Sequence, residues 1–175
     1  MTTRSLFALA ALAVSLTACG GSDGPSEPNG PNGQGTFSGT ITGDISKSVS
    51  GEAVFGSSAI NDGFGLLLGN ENDGFIFGRE IAGIPAVGEY TIFDLVNGDE
   101  EEAPAANLIG VIGLTANGTE WICVPNGGKV NITSSSASRL AGSVNLTAEC
   151  YRSGSEVASD ITLVGTFSAV GGDVD

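Results

Sequence analysis

Residues 139–150 read RLAGSVNLTAEC. Leu140, Gly142, Val144, Leu146, Ala148 and Cys150 fall on one side of the stretch, and Ala141, Ser143, Asn145, Thr147 and Glu149 fall on the other. Successive side chains of an extended chain leave opposite faces, so this period of two is what a strand with one buried and one wet face requires. The same period recurs upstream. Phe37, Gly39, Ile41, Gly43 and Ile45 alternate with Ser38, Thr40, Thr42 and Asp44, and Val49, Gly51, Ala53 and Phe55 share a face after a short Ser-Lys-Ser break.

Working outward, further strands are expected over residues 64–68, 75–77, 89–94, 107–114, 121–124, 129–133 and 160–170, which makes about ten in all. The glycine-rich residues 69–74 read as a hairpin loop, and the apolar run 107–114 is broken by Gly110 and Gly113. No stretch has the 3.6-residue period of an amphipathic helix, and the connections are too short for helical crossovers, so the sheet should be antiparallel. Two architectures satisfy this all-β pattern: a closed or partly open barrel, or a β-sandwich. Glycine on the apolar face relieves crowding where strands coil, which favours the barrel. The motifs SGTITG, SGEAVFG, AGSVNLTA and VGTFSAV resemble one another, but their spacing is too irregular for a repeat architecture.

Composition narrows function. The 175 residues hold 20 acidic and 6 basic side chains, a formal net charge of −14. Nucleic acid binding relies on Lys and Arg displacing counterions from phosphates, so a nucleic acid partner is not expected. There is no His. That removes the commonest general base, the commonest metal ligand, and the Ser/His and Cys/His nucleophile systems.

The N-terminus carries an address. Arg4 is followed by LFALAALAVSL at residues 6–16, an apolar segment of eleven residues that spans about half of a bilayer's hydrocarbon core as a helix. It closes on Leu16, Thr17, Ala18 and Cys19, and this stretch resembles the lipobox of bacterial lipoproteins. The resemblance implies removal of residues 1–18, a thioether from Cys19 to diacylglycerol, and anchoring of the new N-terminus in a membrane. Gly20 stands where the family's sorting rule places Asp for inner-membrane retention, which implies the outer membrane, facing the periplasm, in a cell with two. Residues 20–35, GGSDGPSEPNGPNGQG, contain no large apolar side chain and would form a spacer of roughly 20–25 Å as a flexible coil. The expected organisation is therefore signal 1–18, lipidated Cys19 and linker to 35, a single β-domain over 36–171, and an acidic tail 172–175.

With Cys19 taken by lipid, Cys123 and Cys150 remain as a pair in an oxidising compartment and are expected to form a disulfide. A flat meander would leave a strand between them, so the bond requires residues 125–128 to form an open corner.

Other candidate sites are weak. Glu71, Asp73, Gly74 and Glu80 fit part of a calcium-loop pattern, but its first ligand position is Gly69 and its flanks are strands, so a turn is expected. The run Asp99, Glu100, Glu101 and Glu102 reads as a solvated acidic loop. No carboxylate pair stands out as catalytic, and an activated Ser or Thr would need Lys47 or Lys129 as its base. No cofactor or metal is expected. Phe64, Phe75, Phe77, Tyr90, Phe93 and Trp121 read as core, or as the lining of an apolar cavity if the barrel is partly empty. These readings converge on a non-enzymatic structural or interaction module with an unidentified protein partner; the alternative is a lipocalin-like carrier of a small apolar ligand.

Overall fold

The computed structural model describes residues 34–57, 63–80, 83–98, 106–152, 155 and 157–172. Nine strands follow in order: β1 (Thr36–Gly43), β2 (Lys47–Ser57), β3 (Phe64–Gly69), β4 (Asp73–Arg79), β5 (Gly88–Thr91), β6 (Ile109–Ala116), β7 (Thr119–Ser135), β8 (Arg139–Arg152) and β9 (Ser159–Gly171). Eight of them close a ring in the order β7-β6-β4-β3-β2-β1-β9-β8, with β8 pairing back onto β7. Each neighbouring pair in this ring is antiparallel. The fold is thus a closed antiparallel barrel. A sandwich would leave sheet edges, and here the N-terminal strand β1 pairs along its length with the C-terminal β9 and removes them.

The ninth strand lies outside the ring. β5 pairs with Lys129 to Ile132 of β7, beyond the part of β7 that β6 covers, and Ile92 after it bridges to Leu108 before β6.

Nine strands replace the expected ten because residues 121–124 and 129–133 are one strand, not two about a corner. Pro125 and the glycines after it look like a turn, but they form a bulge: the register of β7 against β8 shifts between Pro125 and Gly127. Gly128 makes this feasible. Its φ is 129°, and a Cβ there would lie 2.5 Å from the carbonyl oxygen of Asn145. The freed carbonyls are used by the neighbouring segment, since Leu95 N–H donates to Pro125 O and Ile92 N–H to Gly128 O. A second signal is plainer. Asn117 (φ 52°) and Gly118 (φ 73°) join β6 to β7, and Asn-Gly is the pair that a two-residue hairpin with both φ positive selects.

The inward faces follow the period of two. Phe37 and Ile41 of β1, Leu140, Val144, Leu146 and Cys150 of β8, and Phe75 and Phe77 of β4 are all buried. Large rings sit against glycines across the wall: a Cβ on Gly165 would reach Phe37 at 2.8 Å, and one on Gly110 would reach Phe77 at 3.0 Å. Alternating bulk and absence of bulk is how a narrow barrel fills without strain. Gly142 is tighter still, because its Cβ would lie 2.2 Å from the main-chain oxygen of Asn131 and 3.0 Å from Phe167. Gly142→Ala should therefore cost about 2–3 kcal/mol, read from urea unfolding, because backbone and not a flexible side chain must move. A loss below about 0.5 kcal/mol would show that the wall yields there.

Candidate functional site

Because the barrel is closed, any ligand must meet its interior, its ends or its outer wall. The interior is occupied by the protein's own side chains. Phe37 of β1 and Phe75 of β4, with β2 and β3 between them around the wall, meet with ring centroids 5.2 Å apart, and Phe55 and Phe64 lie 6.4 Å apart. Phe64, Phe75 and Phe77 are fully buried, while Tyr90 and Trp121 are partly buried and pack against the same core. Of the rings that could have lined a cavity, five thus belong to the core or pack on it, and Phe93 is half-buried outside it.

Cys123 of β7 and Cys150 of β8 are joined, Sγ to Sγ at 2.02 Å, and both are buried. They are direct cross-strand partners. No corner is needed, contrary to expectation, because β7 runs straight through the bulge and brings Cys123 beside Cys150.

One end of the barrel is closed by charge. Lys47 on β2, Asp73 on β4 and Thr115 on β6 meet across β3: the Lys47 ammonium donates to both Asp73 carboxylate oxygens at 2.7 and 2.8 Å and to the Thr115 carbonyl at 2.8 Å. Thr115 N–H in turn donates to Asp73 Oδ1 at 3.3 Å. Asp73 is only 5% exposed. The sequence did hold a signal for this pair. Lys47 shares a face with Val49 and Phe55, and Asp73 with Phe75 and Phe77, so two opposite charges occupy core-facing positions.

The calcium-loop residues separate. Asn70 organises a turn after Gly69, its side-chain oxygen accepting from the N–H groups of Asn72 and Asp73. Asp73 is held by Lys47, Glu71 is exposed, and Glu80 lies past the far end of β4, roughly 20 Å away along the strand. Among the described residues no group of three or more acidic or Cys side chains converges to hold a metal ion. Cys19 and the run 99–102 lie outside the described residues.

Neither lysine is a free amine. Lys129 donates to Glu89 at 2.6 Å, an exposed pair linking β7 to β5. Among the described residues, Tyr151 and Asp94 titrate away from their ordinary values, each through a hydrogen-bonded neighbour. The Tyr151 phenol is pushed up, chiefly by its hydrogen bond to the Glu149 carboxylate, and the Asp94 carboxyl is held low, chiefly by its bond from the Asn97 side chain. A phenol that is harder to ionise and a carboxyl that is harder to protonate are opposite to what acid–base catalysis recruits.

Comparison with protein-family models, with curated proteins and with solved structures returns no match.

Two cations rest on rings. Arg79 lies 5.9 Å from the Phe64 ring centroid and 5.1 Å from that of Tyr90, and Arg152 lies 5.3 Å from that of Trp121. Arg79 Nε and Trp121 Nε1 are buried without a hydrogen-bond partner. At the end opposite the Lys47–Asp73 pair, an open depression of about 390 Å³ is bordered by Phe55, Gly56, Ile84, Ala137, Ser138, Gly171 and Gly172. It is an open hollow at the end where β1 begins, and the core residue Phe55 is among those that border it.

Proposed function

We propose that the chain is a bacterial lipoprotein that is anchored through Cys19 and presents its barrel in a non-enzymatic structural or interaction role at the cell envelope. The observation that carries the role is the filled interior. With Phe37 packed against Phe75 and Phe77 buried beside them on the inward face of β4, the outer wall and the ends of the barrel are what remain for contact. A lipocalin-like carrier of a small apolar ligand uses the same closed architecture but needs empty apolar volume, so the packing supports the interaction reading over it.

Chemistry points the same way. The sequence has no His, and Lys47 and Lys129 are engaged by Asp73 and Glu89. The anchor rests on Leu16, Thr17, Ala18 and Cys19 and on the polar spacer that follows. All acidic residues lie after Cys19 and Arg4 lies before it, so processing there would remove only positive charge. A surface of that sign suits neither nucleic acid nor direct adhesion to anionic headgroups, which leaves the lipid itself as the link to the membrane, the outer one in a cell with two.

Labelling cells with radioactive palmitate tests this reading. The natural chain should take up label and sediment with membranes; Cys19→Ala should take up none and appear as a released or unprocessed species. Label entering the Cys19→Ala chain would overturn the anchor.

A further inference from the structure

Strand β4 carries a charge at each end of its inward face. Asp73, Phe75, Phe77 and Arg79 share that face, and at the first end Asp73 is answered by Lys47. Among the described residues nothing answers Arg79 at the second end. Its side chain makes no ion pair and no hydrogen bond there, although the chain holds 20 acidic residues and Glu80 is its neighbour in sequence. Its Nε is buried without an acceptor. The other cations differ. Lys47 and Lys129 are paired with carboxylates, Arg139 reaches Ser168, and Arg152 stands exposed, where water serves it. A guanidinium drawn partly out of water keeps five N–H donors that aromatic faces satisfy poorly, so a half-buried Arg with no oxygen against it is an unfinished contact.

The rings that carry it lead to the hollow from two sides. The guanidinium carbon lies 5.9 Å from the Phe64 ring centroid, and Phe64 in turn lies 6.4 Å from Phe55, which borders the hollow. It also lies 5.1 Å from the centroid of Tyr90, whose hydroxyl donates to the Ala86 carbonyl, two residues from Ile84 on the hollow's rim. Pro85 between them is fixed as well, because its carbonyl accepts from Ser135 Oγ at 2.6 Å. From Arg79 on β4 to Phe55 on β2 is two strand spacings, roughly 10 Å. The hollow's side chains are those of Phe55, Ile84, Ala137 and Ser138, and the rest of its described border is glycine. A cation on aromatic rings thus stands at the same barrel end as an open volume of about 390 Å³ whose described border carries one hydroxyl and no charge.

We propose that this end of the barrel binds a small amphiphilic carboxylate, its oxygens on the Arg79 guanidinium and its apolar body laid over Phe64 into the hollow. The chemistry fits each part. The planar fork of Arg matches two carboxylate oxygens at once, and its contacts with Phe64 and Tyr90 hold the fork in place before the ligand arrives. Ring and aliphatic surface at Phe64, Phe55 and Ile84 favours a body without charge. In a chain of net charge −14, an anion gains nothing from the general field, so the attraction must be local, and Arg79 is where no described carboxylate competes for it. The site lies at the barrel's mouth and needs no empty space among Phe37, Phe75 and Phe77. It goes beyond the interaction role proposed above and does not depend on the Cys19 anchor, which palmitate labelling tests separately.

Titration calorimetry of the full chain carrying Cys19→Ser, with sodium octanoate as the probe, tests this. The expected result is one site with a Kd of about 0.05–1 mM, the range for a ligand of this size. Octanol keeps the body and drops the charge, and acetate does the reverse; each should bind at least tenfold more weakly, as should inorganic phosphate. Arg79→Gln should weaken octanoate at least tenfold, and Ile84→Asp should do the same with the guanidinium intact. Thr166→Asp, on the outer wall of β9, should change nothing. Unfolding midpoints report whether each variant keeps the barrel; if Arg79→Gln does not fold, Ile84→Asp and the octanol comparison on the parent decide the matter. No heat from octanoate, equal affinity in a folded Arg79→Gln chain, or octanol as tight as octanoate overturns the proposal. So does phosphate binding more tightly than octanoate, because the site then takes a free inorganic anion.

Discussion

Replacing Cys123 and Cys150 together with Ala should lower stability by about 3–4 kcal/mol, the chain-entropy value for a loop of this length. The two residues are 27 apart in sequence. For a domain of this size that corresponds to a fall in Tm of about 10 °C. The position of the bond explains why its loss is felt locally as well. The β7–β8 hairpin turns at residues 136–138, and its register is set from there only as far as Ser134 and Ala141; it shifts between Ile132 and Ser134 and again between Pro125 and Gly127. Cys123 and Cys150 pair beyond both irregularities. The disulfide thus pins the register where the turn no longer can. In the double-alanine chain, amide exchange should rise more over residues 119–124 and 149–152 than over 139–146. A Tm within about 3 °C of the parent, or uniform exchange along the hairpin, would count against this role. Both sulfurs are buried, so reductant should act slowly until denaturant opens the barrel.

Asp73→Ala should be the next most damaging change, at about 2–4 kcal/mol, because it strands a cation in place of removing an interaction. Lys47 would keep only the Thr115 carbonyl, and Thr115 N–H would lose its acceptor. The Lys47 side chain is 24% exposed against 7% for Asp73, so water reaches the ammonium and holds the penalty below that of a fully buried orphan charge. Removing both charges discriminates this account from a simple lost bond. Lys47→Met with Asp73→Leu should recover most of the stability, since an apolar pair of similar volume avoids the desolvation of both ions. Denaturant midpoints for the three chains provide the comparison; a double variant as unstable as the sum of its single changes would refute the mechanism. The Lys129–Glu89 pair makes the contrast. Both partners are 56% exposed, and breaking it should cost no more than about 1 kcal/mol.

Much of the barrel could be read along the chain. The alternation in residues 139–150 identified the inward face of β8, and Phe37, Ile41 and Ile45 proved buried as their spacing required. Three cysteines, with Cys19 assigned to lipid, leave Cys123 and Cys150 as the pair, and they are the two that are bonded. The failures have one character. Pro125, Gly127 and Gly128 carry the composition of a turn, and only the carbonyl acceptors offered to Ile92 and Leu95 show a strand passing through a bulge. Asp73 read as part of a polar loop, and its inward position appears only when it is counted with Phe75 and Phe77. Lys47 and Asp73 lie 26 residues apart, a separation over which no local pattern links them.

By itself the sequence determined where most of the strands lie, which face of each is apolar, and that histidine chemistry is absent from its repertoire. These are consequences of a two-residue period and of composition, and both are local. Only the tertiary structure decided that the sheet closes on itself, that Phe37 meets Phe75 inside it, and that Arg79 rests on the rings of Phe64 and Tyr90. Those facts depend on the register between strands distant in sequence, and register is set by the sum of packing around the whole ring.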